Sequence, residues 1–474
     1  MTAENARAPR ALAAAIVLLS FSTALLAQNA PAGSAPATAA AALTALTERL
    51  DSCGGEEPRR ARRSGRGRSA ALPLDVPFSF DGETGGSALA LDEAPDDPPA
   101  PEGVDASYLA PEKRRARSRR EQRKEFRGTP LRLVAPEQLP PFKEEFRDDA
   151  ARQTALRAIA ATVDYWTRTG ARASIGGDAF DAPRMIAGLE RLAELVRQSP
   201  DAAALHDRLQ AEFDIYQSAS AASEDGENTA YCTPTLSISR VRTDESAAPI
   251  YALPPRAHFS RREISEGKLA GQGLEIGWTN WIDLEAAQVE GAAWGVFTDT
   301  KEKVLLSHAG ENGFPWVSMS SSLKKCGVDL ADLPGCGDVG NYGNLLACLK
   351  TLPPDLQRRA ADLDPSYVFY KIDPGAPKGA ADIELVPDRS IAVDKSVPLG
   401  LPGLLVSRWP EPDGSGGSSM QDVAQLVFTH DRGGAIHGVA RVDRYAGDGA
   451  DALGPCYTMD ARDRLYVFVL KGTR

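Results

Sequence analysis

Apolar residues fall at helical spacing in two places. From Asp148 to Thr169, Leu156, Ile159, Val163 and Trp166 line one face, and Ile186, Leu189, Leu192, Leu195 and Val196 repeat the pattern. Both segments predict amphipathic helices whose stripes are core surface. Beyond Tyr231 the texture changes to short apolar runs bounded by Gly, Pro, Asp or Asn. These are Ile276 to Trp278, Val304 to Ser307, Tyr367 to Ile372, Leu404 to Ser407, Gln425 to Thr429 and Leu465 to Leu470, the signature of a β-rich body.

The first 127 residues carry almost no apolar periodicity apart from one run, Ala11 to Ala27, which follows Arg7 and Arg10. That run is too short and too Ala-rich for a comfortable membrane span and reads as a secretory signal over residues 1–27, cleaved between Ala27 and Ala30. An uncleaved N-terminal anchor is the alternative. Cys53 lies too far beyond the run to carry a lipid. Residues 28–127, rich in Ala, Pro, Gly and charge, predict a disordered arm.

Charge is unevenly spread. Six arginines lie between Arg59 and Arg68 and nine basic residues between Lys113 and Arg127, separated by an acidic, proline-rich piece. Acids elsewhere in the arm nearly balance them, so the formal net charge of −11 rests on the remainder. The basic blocks lack interleaved aromatics, and export removes nucleic acid as a partner; an anionic envelope polymer is the better fit, with a solvated spacer as the simpler reading. Six cysteines are too few for a disulfide scaffold. Any two of Cys326, Cys336 and Cys348 could pair, with Cys232 and Cys456 as further candidates, or the thiols could stay free and buried. Metal-ligand spacing is absent, no cofactor motif is present, and none is expected.

One segment concentrates candidate chemistry: Phe428-Thr429-His430-Asp431-Arg432-Gly433-Gly434-Ala435-Ile436-His437-Gly438. Taken bare, Asp-Arg-Gly-Gly reads more simply as a hairpin turn. Its context changes that. Ser260-Arg261-Arg262-Glu263-Ile264, Gly310-Glu311-Asn312-Gly313-Phe314-Pro315-Trp316, Pro365-Ser366-Tyr367-Val368-Phe369, Asp388-Arg389-Ser390-Ile391-Ala392-Val393-Asp394, then Asp431, Gly433, Gly434 and Asp443 occur in order. From about Phe213 onward the chain resembles the lytic murein transglycosylase A family (MltA), including its C-terminal three-aspartate segment.

The resemblance implies a mainly β fold: a double-psi β-barrel with N-terminal helices and a smaller β-rich domain inserted. The divisions are 128–235 for the helices and first part of the barrel, 236–374 for the insert and 375–474 for the C-terminal part. It implies scission of the β-1,4 bond between N-acetylmuramic acid and N-acetylglucosamine in peptidoglycan glycan strands, in the periplasm or cell envelope, with a 1,6-anhydro product and Asp431 as sole acid and base. Asp394 and Asp443 are implied to shape the centre, or else to cap backbone amides at loop ends. Tyr231, Glu290, Gly310, Asn312, Gly313, Gly433 and Gly434 are implied at the saccharide groove. His430 and His437 lie outside the family pattern and read as surface or strand-edge histidines.

There are departures. The family's Gly-Tyr-Tyr-Glu-Pro is Ala230-Tyr231-Cys232-Thr233-Pro234 here, and its Gln-Gly-Ser-Gly is Glu290-Gly291-Ala292-Ala293. A carboxylate at 290 would repel an anionic substrate. Arg432 follows the aspartate where the family has a small or apolar residue, and strand alternation should turn it to the opposite face. A catalytically weak or inactive glycan-binding protein of the same fold is the rival reading, and a secreted adaptor recruited by its basic arm a third.

Overall fold

The computed structural model describes residues 35–53, 131–143, 148–218, 226–330, 336, 337, 339, 341–412, 418–433, 436, 438 and 441–472. The apolar run at the N-terminus, both basic blocks, Gly434 and His437 lie outside them.

Among the described residues the first element is α1 (Ala35–Cys53), and next come β1 (Leu131–Val134), α2 (Asp149–Thr169), β2 (Arg172–Ile175), β3 (Asp178–Asp181), α3 (Ala182–Gln198), α4 (Ala202–Glu212), β4 (Phe213–Ser218) and β5 (Gly226–Thr233). Helix α2 has the signals expected of it: the Asp148 side chain caps its first turn, and Gly170 ends it at φ 57°. The apolar stripes of α2 and α3 are buried as the spacing requires, with Ile159, Trp166, Leu189, Leu192 and Val196 in the main core.

An insert follows, made of β6 (Thr235–Ile238), β7 (Ala248–Tyr251), α5 (Arg261–Ser265), β8 (Glu275–Thr279), α6 (Trp281–Glu290), β9 (Ala293–Phe297), β10 (Lys303–Glu311), α7 (Met319–Lys325), α8 (Tyr342–Lys350), α9 (Pro354–Ala361) and β11 (Val368–Asp373). Its sheet runs β11-β10-β9-β6, with β7 and β8 paired separately. Helices α7 to α9 make this domain more helical than the strand texture suggested. They enclose their own core around Leu323, Leu346 and Leu349.

The chain then returns with β12 (Ser390–Val393), β13 (Pro402–Pro412), β14 (Ser418–Asp431), β15 (Arg441–Asp448), α10 (Ala450–Thr458) and β16 (Ala461–Leu470). The order β16-β13-β14-β12-β15-β5 closes into a six-stranded barrel because β5 also pairs with β16. Its two parallel contacts, β12 with β14 and β15 with β5, join strands distant in sequence. Leu404, Leu426 and Phe428 from one face of the barrel wall and Ile391, Val442 and Val467 from the other belong to the main core, and the Trp166 indole N–H donates to the Gly400 carbonyl at 2.7 Å, tying α2 to the barrel.

Two expectations need correction. Residues 35–53 belong to no disordered arm: Leu46 and Leu50, on one face of α1, are buried in the α7–α9 core. A buried stripe stabilises a helix that composition alone would not. Nor are the cysteines free: they pair as Cys53–Cys326, Cys232–Cys456 and Cys336–Cys348. Among the described residues no helix is long and apolar enough to cross a membrane.

Candidate active site

Register places the carboxyls. Asp431, the last residue of β14, and Asp443, in β15, both pair with Ala392 of β12, and Asp443 pairs in turn with Thr229 of β5. Residues paired across neighbouring strands project from the same face. The two aspartates therefore share one face of the barrel wall with only the Ala392 methyl in the row between them.

Asp431 is held by backbone. Its Oδ1 accepts from the N–H of Ala380 at 2.9 Å and of Arg432 at 2.7 Å. Burial raises its pKa above the ordinary 3.8, opposed by those two amides, the Tyr231 hydroxyl and, least, the Arg432 charge. Both formed bonds engage Oδ1, which leaves Oδ2 as the oxygen for a proton. Gly379 was not anticipated. A Cβ there would stand 2.6 Å from the His430 carbonyl and 2.8 Å from Asp431 Cβ and Cγ, so only glycine lets the Gly379–Ala380 segment approach.

Arg432 lies just past the end of β14, so strand alternation does not place it, and it lines the same cavity as Asp431. Its guanidinium donates to the carbonyls of Asp394 (2.6 Å) and Val397 (2.8 Å) in the loop after β12. Asp443 accepts from Thr229 Oγ1 at 2.7 Å, and burial, offset in part by Arg441, raises it to about 6. The Tyr231 hydroxyl is buried, and burial followed by the charges of Asp431 and Asp443 holds its pKa well above 10.0.

A cavity of about 420 Å³ joins these groups to the insert. The barrel contributes Tyr231, Asp431, Gly433 and Asp443 to its lining, and the insert contributes Glu290 and His308. Glu290 ends α6, where Oε2 accepts from Cys232 N–H at 2.9 Å. Burial raises it to about 8, so near neutral pH it is uncharged and does not repel an anion as its sequence suggested. Cys232, Glu290 and Cys456 lie close enough to resemble a metal cluster, but both sulfurs are spent in a disulfide.

Other sequence candidates lie elsewhere. Asn312 is 2 % exposed, and its side chain is occupied by four backbone groups, donating to the carbonyls of Phe259 and Pro365 and accepting from the N–H of Phe314 and Tyr367. It is a strut of the insert. Gly310 sits at the bulge of β10 and Gly313 in the following turn at φ 79°; neither lines this cavity. Asp394 fits the capping alternative: its carboxylate accepts from the N–H groups of Ser396 and Gly438 and from the Ser396 hydroxyl. His430 is no surface histidine. It is fully buried between Thr162 Oγ1 and Ser390 Oγ, each 2.8 Å away, and burial lowers it to about 3. A neutral, doubly bonded imidazole off the cavity wall cannot serve as the base.

A closed barrel and an inserted domain, with an aspartate whose pKa burial raises in the cavity between them, set the geometry of the site. Residues 227–371 match the MltA specific insert domain and residues 389–467 the 3D domain. The chain is 31 % identical over 272 residues to membrane-bound lytic murein transglycosylase A of Vibrio cholerae, covering 56 % of this chain and 70 % of the relative. It is 30 % identical over 228 residues to the Escherichia coli K12 protein of that name, covering 47 % and 60 %. The chain belongs to the lytic murein transglycosylase A (MltA) family. Its fold is shared with the crystal structure of membrane-bound lytic murein transglycosylase from Agrobacterium tumefaciens (TM-score 0.56, 23 % identity, 72 % of this chain and 97 % of that one). The same holds for E. coli MltA with bound chitohexaose (TM-score 0.56, 22 % identity, 73 % and 97 %).

Proposed function

We infer that this chain cleaves the β-1,4 bond between N-acetylmuramic acid and N-acetylglucosamine in peptidoglycan without consuming water, using Asp431 as acid and then base. The observation that carries the reading is a carboxyl at the cleft that burial inclines to keep its proton, with one oxygen fixed by two amides and the other left for transfer.

In the first step Oδ2–H gives its proton to the glycosidic oxygen as the bond to C1 of the muramic residue breaks. Positive charge develops on that sugar. Asp443, raised to about 6, is mostly ionised at neutral pH and supplies a negative neighbour on the same face. In the second step the muramic C6 hydroxyl attacks C1, and Asp431, now a carboxylate, takes its proton. A 1,6-anhydro ring closes, and the aspartate is protonated again. One carboxyl suffices because the nucleophile belongs to the substrate, whereas hydrolytic glycosidases need two. Tyr231, Glu290 and Gly433, on the cavity wall, contact the saccharide. Three disulfides suit an oxidising compartment, in keeping with export to the envelope through residues 1–27.

The test is incubation with purified peptidoglycan and mass analysis of the released saccharides, with Asp431→Asn as control. Products lighter by one water than hydrolysed ends, and absent with the variant, support the assignment. Reducing muramic ends, or equal release by Asp431→Asn, overturn it.

A further inference from the structure

Glu290 stands on the opposite wall of the cavity in surroundings that disfavour charge. It closes α6, where the helix dipole presents its negative end, and no basic residue lies in that last turn. Its Oε2 accepts from Cys232 N–H, while no hydrogen bond to Oε1 is found among the described residues. The Cys232–Cys456 disulfide packs against it. Negative charge on Asp443 from β15 and on Glu285 from its own helix, itself raised to about 7 by burial, disfavours ionisation of Glu290, and a charge on Glu290 would in turn disfavour ionisation of Tyr342 from α8, Tyr370 from β11 and Tyr457 from α10.

The basic side chains nearby are committed elsewhere or stand apart. Arg261 of α5 is bound to Asp364 and Gln288, Arg441 to Glu227 and Arg432 to two carbonyls. His308 stands 3.5 Å from Glu311. Lys378 lines the same cavity from an exposed position on the barrel side. None of these is ion-paired with Glu290.

We propose that Glu290 meets the glycan as a neutral carboxylic acid, its Oε1–H donating to an N-acetyl carbonyl or hydroxyl oxygen of an amino-sugar chain, so that ionisation of this one side chain releases the ligand. The proposal rests on the cavity being the glycan groove inferred above. Geometry supports the assignment of oxygens: the oxygen that accepts from Cys232 N–H is the carbonyl of the acid, and the other carries the proton. Burial raises the group to about 8, which places the change within an accessible pH range. Glutamine offers the same shape, an acceptor toward Cys232 and a donor toward the groove, without the titration.

The experiment measures chitohexaose binding by calorimetry to full-length Asp431→Asn protein, which cannot turn the ligand over, at pH 6.5 and 9.5. The expected result is about tenfold weaker binding at the higher pH, the contribution of one hydrogen bond. Adding Glu290→Gln should keep the affinity at pH 6.5 and abolish its pH dependence. Adding Glu290→Ala should weaken binding at both pH values. An equal alkaline loss with Glu290→Gln overturns the proposal and leaves the groove assignment standing. Absence of chitohexaose binding to every variant at both pH values overturns the groove assignment and the proposal with it.

Discussion

Gly379→Ala should cripple the proposed activity without replacing an ionisable group. The added methyl would lie 2.6 Å from the His430 carbonyl oxygen and 2.8 Å from Asp431 Cβ and Cγ, where ordinary contact begins near 3.4 Å. The overlap, about 0.6–0.8 Å, falls on backbone and on the acid itself, so no flexible side-chain end can absorb it. Either the Gly379–Ala380 segment lifts away or Asp431 rotates. In both cases the Ala380 N–H bond to Oδ1 is lost or bent.

Displacement of this size at a reacting group costs roughly a hundredfold in rate, and the overpacking about 1–3 kcal/mol in stability. A second effect has a definite sign. The Ala380 amide favours the ionised form of Asp431, so its loss raises the carboxyl further. Free enzyme must start protonated; hence the pH above which kcat/KM falls should move upward. Release of anhydro-muropeptides from purified peptidoglycan between pH 4 and 9, with thermal melts, measures all three. Gly454→Ala is the control, because a Cβ there meets nothing within 4 Å. Wild-type activity and an unmoved pH limb in Gly379→Ala would refute the reasoning.

Two further outcomes concern stability. His430 is held at about 3 by burial, below its unfolded value of about 6.5, so its contribution is fully present above pH 6.5 and is lost as pH falls toward 3. The loss amounts to at most ~1.4 kcal/mol per pH unit, and His430→Gln should flatten that part of the urea-midpoint profile between pH 7 and 4.5; parallel profiles would contradict it. Cys53→Ser opens a link between residues 273 apart in sequence. The unfolding free energy should fall by up to about 5 kcal/mol and denaturation midpoints should drop accordingly, while initial rates on peptidoglycan at 25 °C stay unchanged, since α1 packs on α7–α9 and contributes nothing to the groove. An unaltered midpoint would count against a stabilising role for this bond.

Regular, locally encoded features were legible in the sequence. Ile159 and Trp166 recur at helical spacing because one face of α2 rests on the barrel, and runs such as Leu404 to Val406 are continuously apolar because barrel strands are packed on both sides. Closure of the barrel was not legible from pattern, because β5 meets β15 and β16 across more than 200 residues and no periodicity encodes that pairing. Family resemblance supplied it. The site divides in the same way. Asp-Arg-Gly-Gly reads as a turn, and the role proposed for Asp431 depends on burial in the fold and on Ala380, 51 residues earlier, whose amide fixes Oδ1 where Gly379 permits the approach. Asn312, quoted from the same resemblance, proved to be spent on backbone, since an ordered motif marks structural necessity as readily as ligand contact.

The helix α1 shows most clearly how composition can hide structure. Leu43, Leu46 and Leu50 follow helical spacing, yet three leucines in an Ala- and Thr-rich segment could not stabilise 19 residues in isolation. Burial of Leu46 and Leu50 in the α7–α9 core, the ion pair of Asp51 with Arg359 and the bond from Cys53 to Cys326 supply what the segment lacks. All three partners lie in the part of the insert that was itself unforeseen as helical. The error therefore had one cause. The insert was expected to be β-rich, so its helical subdomain went unforeseen, and the segment that completes its core, placed almost 300 residues away in sequence, was left without a surface to fold on.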